Sequence, residues 1–256
     1  MVVELKTGQT VRTGSSLPLP STMKRIFLPG TLKPIKENRS EILRSGFDFN
    51  TRHSCPLCGK LGSYNHAAAG CSVALDQGRY LWRHNTVLHF LGRKISQLLS
   101  LSPSTVWDIT VDQGNNKGEF PETTLPSPIF GQTNLRPDMV ISYPFQKRII
   151  IMELTCPLPH NMNKWKQLKQ EKYSPFVAMA ASHGWHADLT TIEIACHGFS
   201  SQGIQDLWLL LGNYQVGTDS TDIAMRCASL SQSCTDEIIR SASNIQWKPL
   251  ARRLSN

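Results

Sequence analysis

No stretch of this 256-residue chain approaches the ~20 consecutive apolar residues that a membrane-spanning helix needs, so no membrane partner is expected. Met1 to Gly14 mixes Glu4, Lys6 and Arg12 with polar residues and lacks an apolar run. It does not read as a signal peptide, and secretion is not expected. Charge is scarce at 18%, which with 40% hydrophobic residues fits a globular chain. Acid is scarcer than base: 19 Asp and Glu stand against 27 Lys and Arg, for a net charge of +8 and a pI near 9.2. That balance favours an anionic partner, of which nucleic acid is the commonest. The seven cysteines are an odd number, and without a secretory leader they argue against a disulfide framework. They fit a reducing compartment in which thiols are free or bind metal.

The chain has no internal repeat. Residues 1–50 read as a flexible arm, because Pro18, Pro20, Pro29 and Pro34 interrupt every periodic run. A short helix is conceivable from Glu37 to Ser45. Residues 51–73 gather Cys and His. From Ala74 to Leu99 apolar residues recur at helical spacing, including Leu81, Val87, Leu88, Leu91 and Ile95. Thr105–Asp112, Asp138–Tyr143 and Lys147–Cys156 read as strands, with a Gly-, Asn- and Pro-rich loop from Gln113 to Arg136. The third strand is apolar on both faces, which marks a central, doubly covered position. A helix over Asn161–His183 follows, then a strand over Leu189–Cys196. Helices near Ser201–Leu211 and Thr221–Ser241 complete the chain. The order predicts an α/β domain on a mixed sheet over residues 74–215, with a helical tail over 216–256.

Cys55 and Cys58 form a CxxC, followed by His66 and Cys71. Three thiolates and an imidazole make a closed tetrahedral zinc set, and four protein ligands leave no open position, so the metal is structural. His53 is an alternative to His66.

Asp138 opens one strand and Glu153 lies near the end of the next, on the face of Ile149 and Ile151. A carboxylate on a buried strand is costly unless it is paired or binds a metal. Two carboxylates meeting at strand ends could hold Mg²⁺ or Mn²⁺, with the Leu154 carbonyl as a third oxygen. Lys169, Lys172 and Tyr173 share a face of the following helix and could supply positive charge to a phosphate. The plainer alternative is a structural ion pair between Glu153 and a lysine.

Together, Arg136-Pro137-Asp138, Glu153-Leu154-Thr155 and Lys169, Lys172 and Tyr173 resemble the restriction-like endonuclease of non-LTR retrotransposons. The likeness extends to a preceding CCHC knuckle, to Gly78-Arg79-Tyr80-Leu81-Trp82-Arg83-His84-Asn85, to Gly198-Phe199, and to Trp208 through Gly212. It covers roughly residues 51–215. The resemblance implies a PD-(D/E)XK fold with an N-terminal zinc knuckle, and metal-dependent nicking of DNA that primes reverse transcription. It implies Asp138 and Glu153 as Mg²⁺ or Mn²⁺ ligands and Lys169 as the catalytic lysine, with Lys172 and Tyr173 in support. Thr155 stands where the standard motif has lysine, and His197 where arginine is expected.

A metal-dependent DNA endonuclease of retrotransposon origin is therefore expected. The alternative is a decayed or domesticated module that binds nucleic acid without cutting. DNA is the expected partner, with RNA conceivable, and the resemblance adds a reverse transcriptase domain in full-length relatives. Arg79, Arg83, Lys164 and Lys166 are the candidate nucleic-acid contacts, and the nucleus, or cytoplasm and nucleus, is the expected location.

Overall fold

A computed structural model of the chain describes residues 2–4, 10–12, 54–60, 62–101, 106–112, 120, 121, 123, 125–212, 220–244, 246 and 247. The expected helix over Glu37–Ser45 and the alternative ligand His53 lie outside these. Two units are separable, Met1–Arg39 and Ser40–Asn256. In the first, strands β1 (Val2–Glu4) and β2 (Thr10–Arg12) pair antiparallel. The arm expected to be without regular structure therefore contains a two-stranded ribbon.

The second unit is mixed α/β. Its sheet has four strands in the order β3 (Asp108–Val111), β4 (Met139–Tyr143), β5 (Arg148–Thr155) and β6 (His186–Glu193). β3 and β4 pair antiparallel, as do β4 and β5, whereas β5 and β6 pair parallel. A parallel pair needs a crossover, and the helix between β5 and β6 supplies it.

Among the described residues six α-helical segments surround the sheet: α1 (Ser72–Asp76), α2 (Arg79–Ser100), α3 (Ser127–Phe130), α4 (Met162–Ser182), α5 (Gly203–Gly212) and α6 (Ser220–Arg240). The continuous helix expected from Ala74 is broken at Gly78, whose φ of 70° lies in the left-handed region that ends a helix. α4 carries Pro175 in its interior. The Glu171 carbonyl that would have bonded a residue 175 N–H instead accepts the Ser174 hydroxyl at 3.3 Å.

Strand alternation sends side chains to two separate cores. Met139, Ile141, Ile150, Met152, Leu154, Ile192 and Ile194 pack against α2, α5 and α6. Val140, Ile149 and Ile151 pack against Tyr173, Phe176 and Ala180 of α4 and against α3. This explains the run Ile149-Ile150-Ile151-Met152, since β5 is covered on both faces. Each fully buried aliphatic side chain there contributes about 1.5–3 kcal/mol. Gly203 lets α5 close onto β6: a Cβ at that position would stand 2.0 Å from the Thr191 carbonyl oxygen.

The tail expected over residues 216–256 is corrected by α6. Ile223, Ala224 and Cys227 belong to the same core as α2 and β5, so a boundary at 216 divides one packed body. The physical reason is its amphipathic face, which buries Ile223, Ala224 and Cys227 against that core.

Candidate metal centres

The knuckle begins with a tight turn. The Gly59 N–H donates to the Cys55 carbonyl at 2.8 Å, and the Cys55 N–H to the Lys60 carbonyl at 2.6 Å. This turn brings Cys55 and Cys58 to one side. His66 opens a π-helical turn, His66–Gly70, and Cys71 follows it. The ligand atoms of Cys55, Cys58, His66 and Cys71 all lie within 4.8 Å of one another. Cys55 Sγ is 3.9 Å from Cys71 Sγ, and Cys58 Sγ is 3.2 Å from His66 Nε2. With zinc–sulfur bonds of about 2.3 Å, the edges of a tetrahedral site are about 3.8 Å. The donor set and its spacing thus fit zinc. Hydrogen bonding to the Lys60 backbone draws the Cys58 thiol below its ordinary range, whereas burial raises that of Cys71.

The knuckle is fastened to α2 by two side chains. The Tyr80 hydroxyl accepts the Cys71 N–H and donates to the Ala67 carbonyl, both at 3.0 Å. Arg83 donates to the Ala68 carbonyl at 2.8 Å, to Thr235 Oγ1 at 3.0 Å and to the Cys156 carbonyl at 3.0 Å. Arg83 therefore joins the knuckle, α6 and the end of β5. Arg79 donates to the carbonyls of Ser241 and Asn244 at 2.8 and 2.6 Å and lies over the Trp247 ring. Both arginines are buried, 0% and 2% exposed. Their expected role as nucleic-acid contacts is thus corrected. Burying a guanidinium requires partners for most of its donors, and backbone carbonyls with the side chains of Gln77, Ser241 and Thr235 supply them here, all except Arg83 Nε, out of reach of a phosphate. His197 is also turned inward, its ring edge-on to Tyr64 at 4.9 Å.

The second cluster sits at the end of β4 and β5. The register Met139↔Met152 places Asp138 opposite Glu153, one position further along. Alternation puts both on the α4 side of the sheet. Asp138 Oδ2 accepts the Leu154 N–H at 2.7 Å, which fixes the carboxylate beside β5. Lys169 reaches from α4 to ion-pair with Glu153 Oε2. Tyr173, one turn on and fully buried, stands over the same carboxylate. Glu153 is 1% exposed; its other oxygen, Oε1, and the buried Tyr173 hydroxyl each lack a hydrogen bond of normal geometry, although the two side chains are close enough for the hydroxyl to favour the carboxylate. Burial raises the Glu153 pKa, and the facing Asp138 carboxylate adds to this, while Lys169 opposes it. Asp138 moves the other way: burial works to raise its pKa, but the charge and hydrogen bond of His84 outweigh it. Two carboxylates and a lysine thus meet at one end of the sheet, with the pKa of one carboxylate raised and that of the other lowered.

The remaining expected residues divide. Lys172 is exposed, with its ammonium 4.6 Å above the Tyr173 ring, behind the carboxylates rather than among them. Lys164 is exposed and Lys166 half-buried on the first turns of α4, flanking Trp165, which is 42% exposed. Two residues were missed. Glu193 is 1% exposed, faces the α4 side in register with Thr155, and has an unpartnered Oε1. Its setting in an apolar strand is the signal that flagged Glu153. His84 donates to Asp138 and to the Leu154 carbonyl; the chain marked it only as part of the run Gly78–Asn85, with no role at the carboxylates.

No helix among the described residues is long and apolar enough to cross a membrane. Comparison with protein-family models gives no match, and comparison with curated proteins gives none.

Proposed function

We propose that the chain is a divalent-cation-dependent DNA endonuclease of the PD-(D/E)XK type with a structural zinc knuckle, related to the nuclease of non-LTR retrotransposons. The observation that carries this reading is the convergence of Asp138, Glu153 and Lys169 at one end of the mixed sheet. Asp138 and Glu153 would hold the Mg²⁺ or Mn²⁺. Bound there, the cation supplies an activated water and neutralises charge on the phosphate. The oxygen donors fit such an ion, and Glu153 Oε1 makes no hydrogen bond of normal geometry, with the Tyr173 hydroxyl as its neighbour. Lys169 holds Glu153 from the α4 side and offers its ammonium to the scissile phosphate. Tyr173 walls the inner side of Glu153 and limits water there. Lys164 and Lys166 extend positive charge along α4, where a DNA backbone would run.

The test is nicking of supercoiled plasmid by the zinc-loaded protein with Mg²⁺ or Mn²⁺. Wild type should nick, and Asp138→Ala and Glu153→Gln should lose about 10²-fold or more of the rate. DNA binding without nicking by wild type would favour the decayed binding module. Equal nicking by wild type and Asp138→Ala would remove the catalytic assignment.

A further inference from the structure

His84 lies on α2, which packs against the face of the sheet opposite to α4. Its imidazole nonetheless meets the end of the sheet where Asp138 and Glu153 stand. Nε2 is 3.3 Å from Asp138 Oδ2 and 3.1 Å from the Leu154 carbonyl oxygen. Nδ1 is 3.1 Å from Asn85 Oδ1. The carbonyl can only accept, so Nε2 must carry a hydrogen, and it shares that hydrogen between carbonyl and carboxylate. This holds whether the ring is neutral or charged.

The same Asp138 Oδ2 accepts the Leu154 N–H. Asp138, the Leu154 backbone and His84 therefore close a ring of hydrogen bonds around one carboxylate oxygen. Two donors converge on Oδ2, and no donor among the described residues reaches Oδ1. The side chains are 19% and 13% exposed, so water competes weakly. Anchoring of α2 does not depend on this contact, because Arg79, Tyr80 and Arg83 already fasten its first turns.

We propose that His84 is a positioning residue for the cation site. It clamps Asp138 through Oδ2 and so presents Oδ1 as the cation-binding oxygen. The inference rests on the cation-dependent nuclease reading above. A carboxylate held at one oxygen cannot turn its plane freely, so the entropy of ordering it is spent before the cation arrives. Partners of this kind typically alter metal affinity by about 10- to 100-fold.

The experiment measures Mn²⁺ binding by electron paramagnetic resonance, following loss of the free-ion signal. It uses the full chain with zinc already in the knuckle and no DNA. His84→Leu removes the donor. His84→Gln keeps an N–H near the Nε2 position, and His84→Asn keeps only the Nδ1 position. His84→Leu and His84→Asn should raise the Mn²⁺ Kd about 10- to 100-fold, with zinc content unchanged, and His84→Gln should recover most of the loss. If His84→Leu does not fold, the comparison of His84→Asn with His84→Gln decides. Asp138→Asn, measured alongside, separates the two ideas. If it loses Mn²⁺ while the donor-less His84 variants bind as wild type does, the positioning role is overturned and the cation site stands. If Asp138→Asn binds Mn²⁺ like wild type, the cation site and the role of His84 fall together.

Discussion

Lys169 and Glu153 form an ion pair between α4 and β5, with Glu153 almost wholly removed from solvent. Desolvation raises the Glu153 pKa, and Asp138 on the neighbouring strand raises it further. Lys169 is what keeps charge on Glu153 affordable in so apolar a strand.

Lys169→Met should therefore cost stability as well as nicking. Removing one partner of a fully buried pair costs about 3–5 kcal/mol, and less is expected here because Glu153 can take up a proton. A loss of about 1–3 kcal/mol in urea unfolding at pH 7 is the expected outcome. Adding Glu153→Gln should restore most of it. A Lys169→Met protein as stable as wild type would show that the pair contributes nothing to the fold.

The arginines and lysines should separate cleanly. Arg83→Met leaves the Ala68 and Cys156 carbonyls without their donor, so a loss of about 2–4 kcal/mol is expected. Lys164→Ala and Lys166→Ala should leave the unfolding midpoint unchanged. Each should weaken DNA binding for all sequences alike and lower the salt slope by about 1. The reverse pattern, stability lost with the lysines and only DNA affinity with Arg83, would overturn the assignment of Arg83 as structural.

One zinc per chain is expected, held by Cys55, Cys58, His66 and Cys71. Cobalt(II) in its place should show the absorption of a tetrahedral thiolate site. A Cys58→Ser, Cys71→Ser double variant should bind neither ion, and chelation of wild type should lower its melting temperature. Full zinc in the double variant would exclude this ligand set.

The cation-free protein should lose stability on the alkaline side. His84 is pushed up to about 9 from 6.5: burial works against this, and the adjacent Asp138 carboxylate overcomes it. A raised pKa gives stability that is full below pH 6.5 and is lost as pH rises through about 9. The pKa of Asp138 is lowered, so its share is full above 3.8 and is lost only as pH falls through the depressed value. The melting temperature should therefore decline between pH 6.5 and 9, and His84→Gln should flatten that decline. An unchanged slope in the variant would show that the pair does not carry it.

Much of this protein was legible in the chain, for identifiable reasons. Strand and helix periods are local, so β4, β5, α4 and α5 fall near their expected limits. Glu153 stood out because a carboxylate directly after Ile149-Ile150-Ile151-Met152 on one buried strand has few ways to be tolerated. Glu193 carried the same signal in a less apolar setting and was passed over. The arginines misled because Arg79 and Arg83, spaced along a helix, read as a solvated basic face, whereas their partners are backbone carbonyls. A carbonyl has no letter of its own, so no pattern of residues announces an acceptor.

By itself the sequence determined which side chains share a strand face, which thiols can meet in a CxxC turn, and where an unsupported charge would be intolerable. Those are properties of neighbouring residues and of the fixed periods of helix and strand. Only the tertiary structure decided that α6 completes the core and that two arginines face inward. It also brought His84, from a helix on one side of the sheet, to an aspartate at the end of a strand. Such contacts depend on how far each helix slides and turns before its apolar face is covered, and that is set by the packing of the whole body rather than by any segment of it.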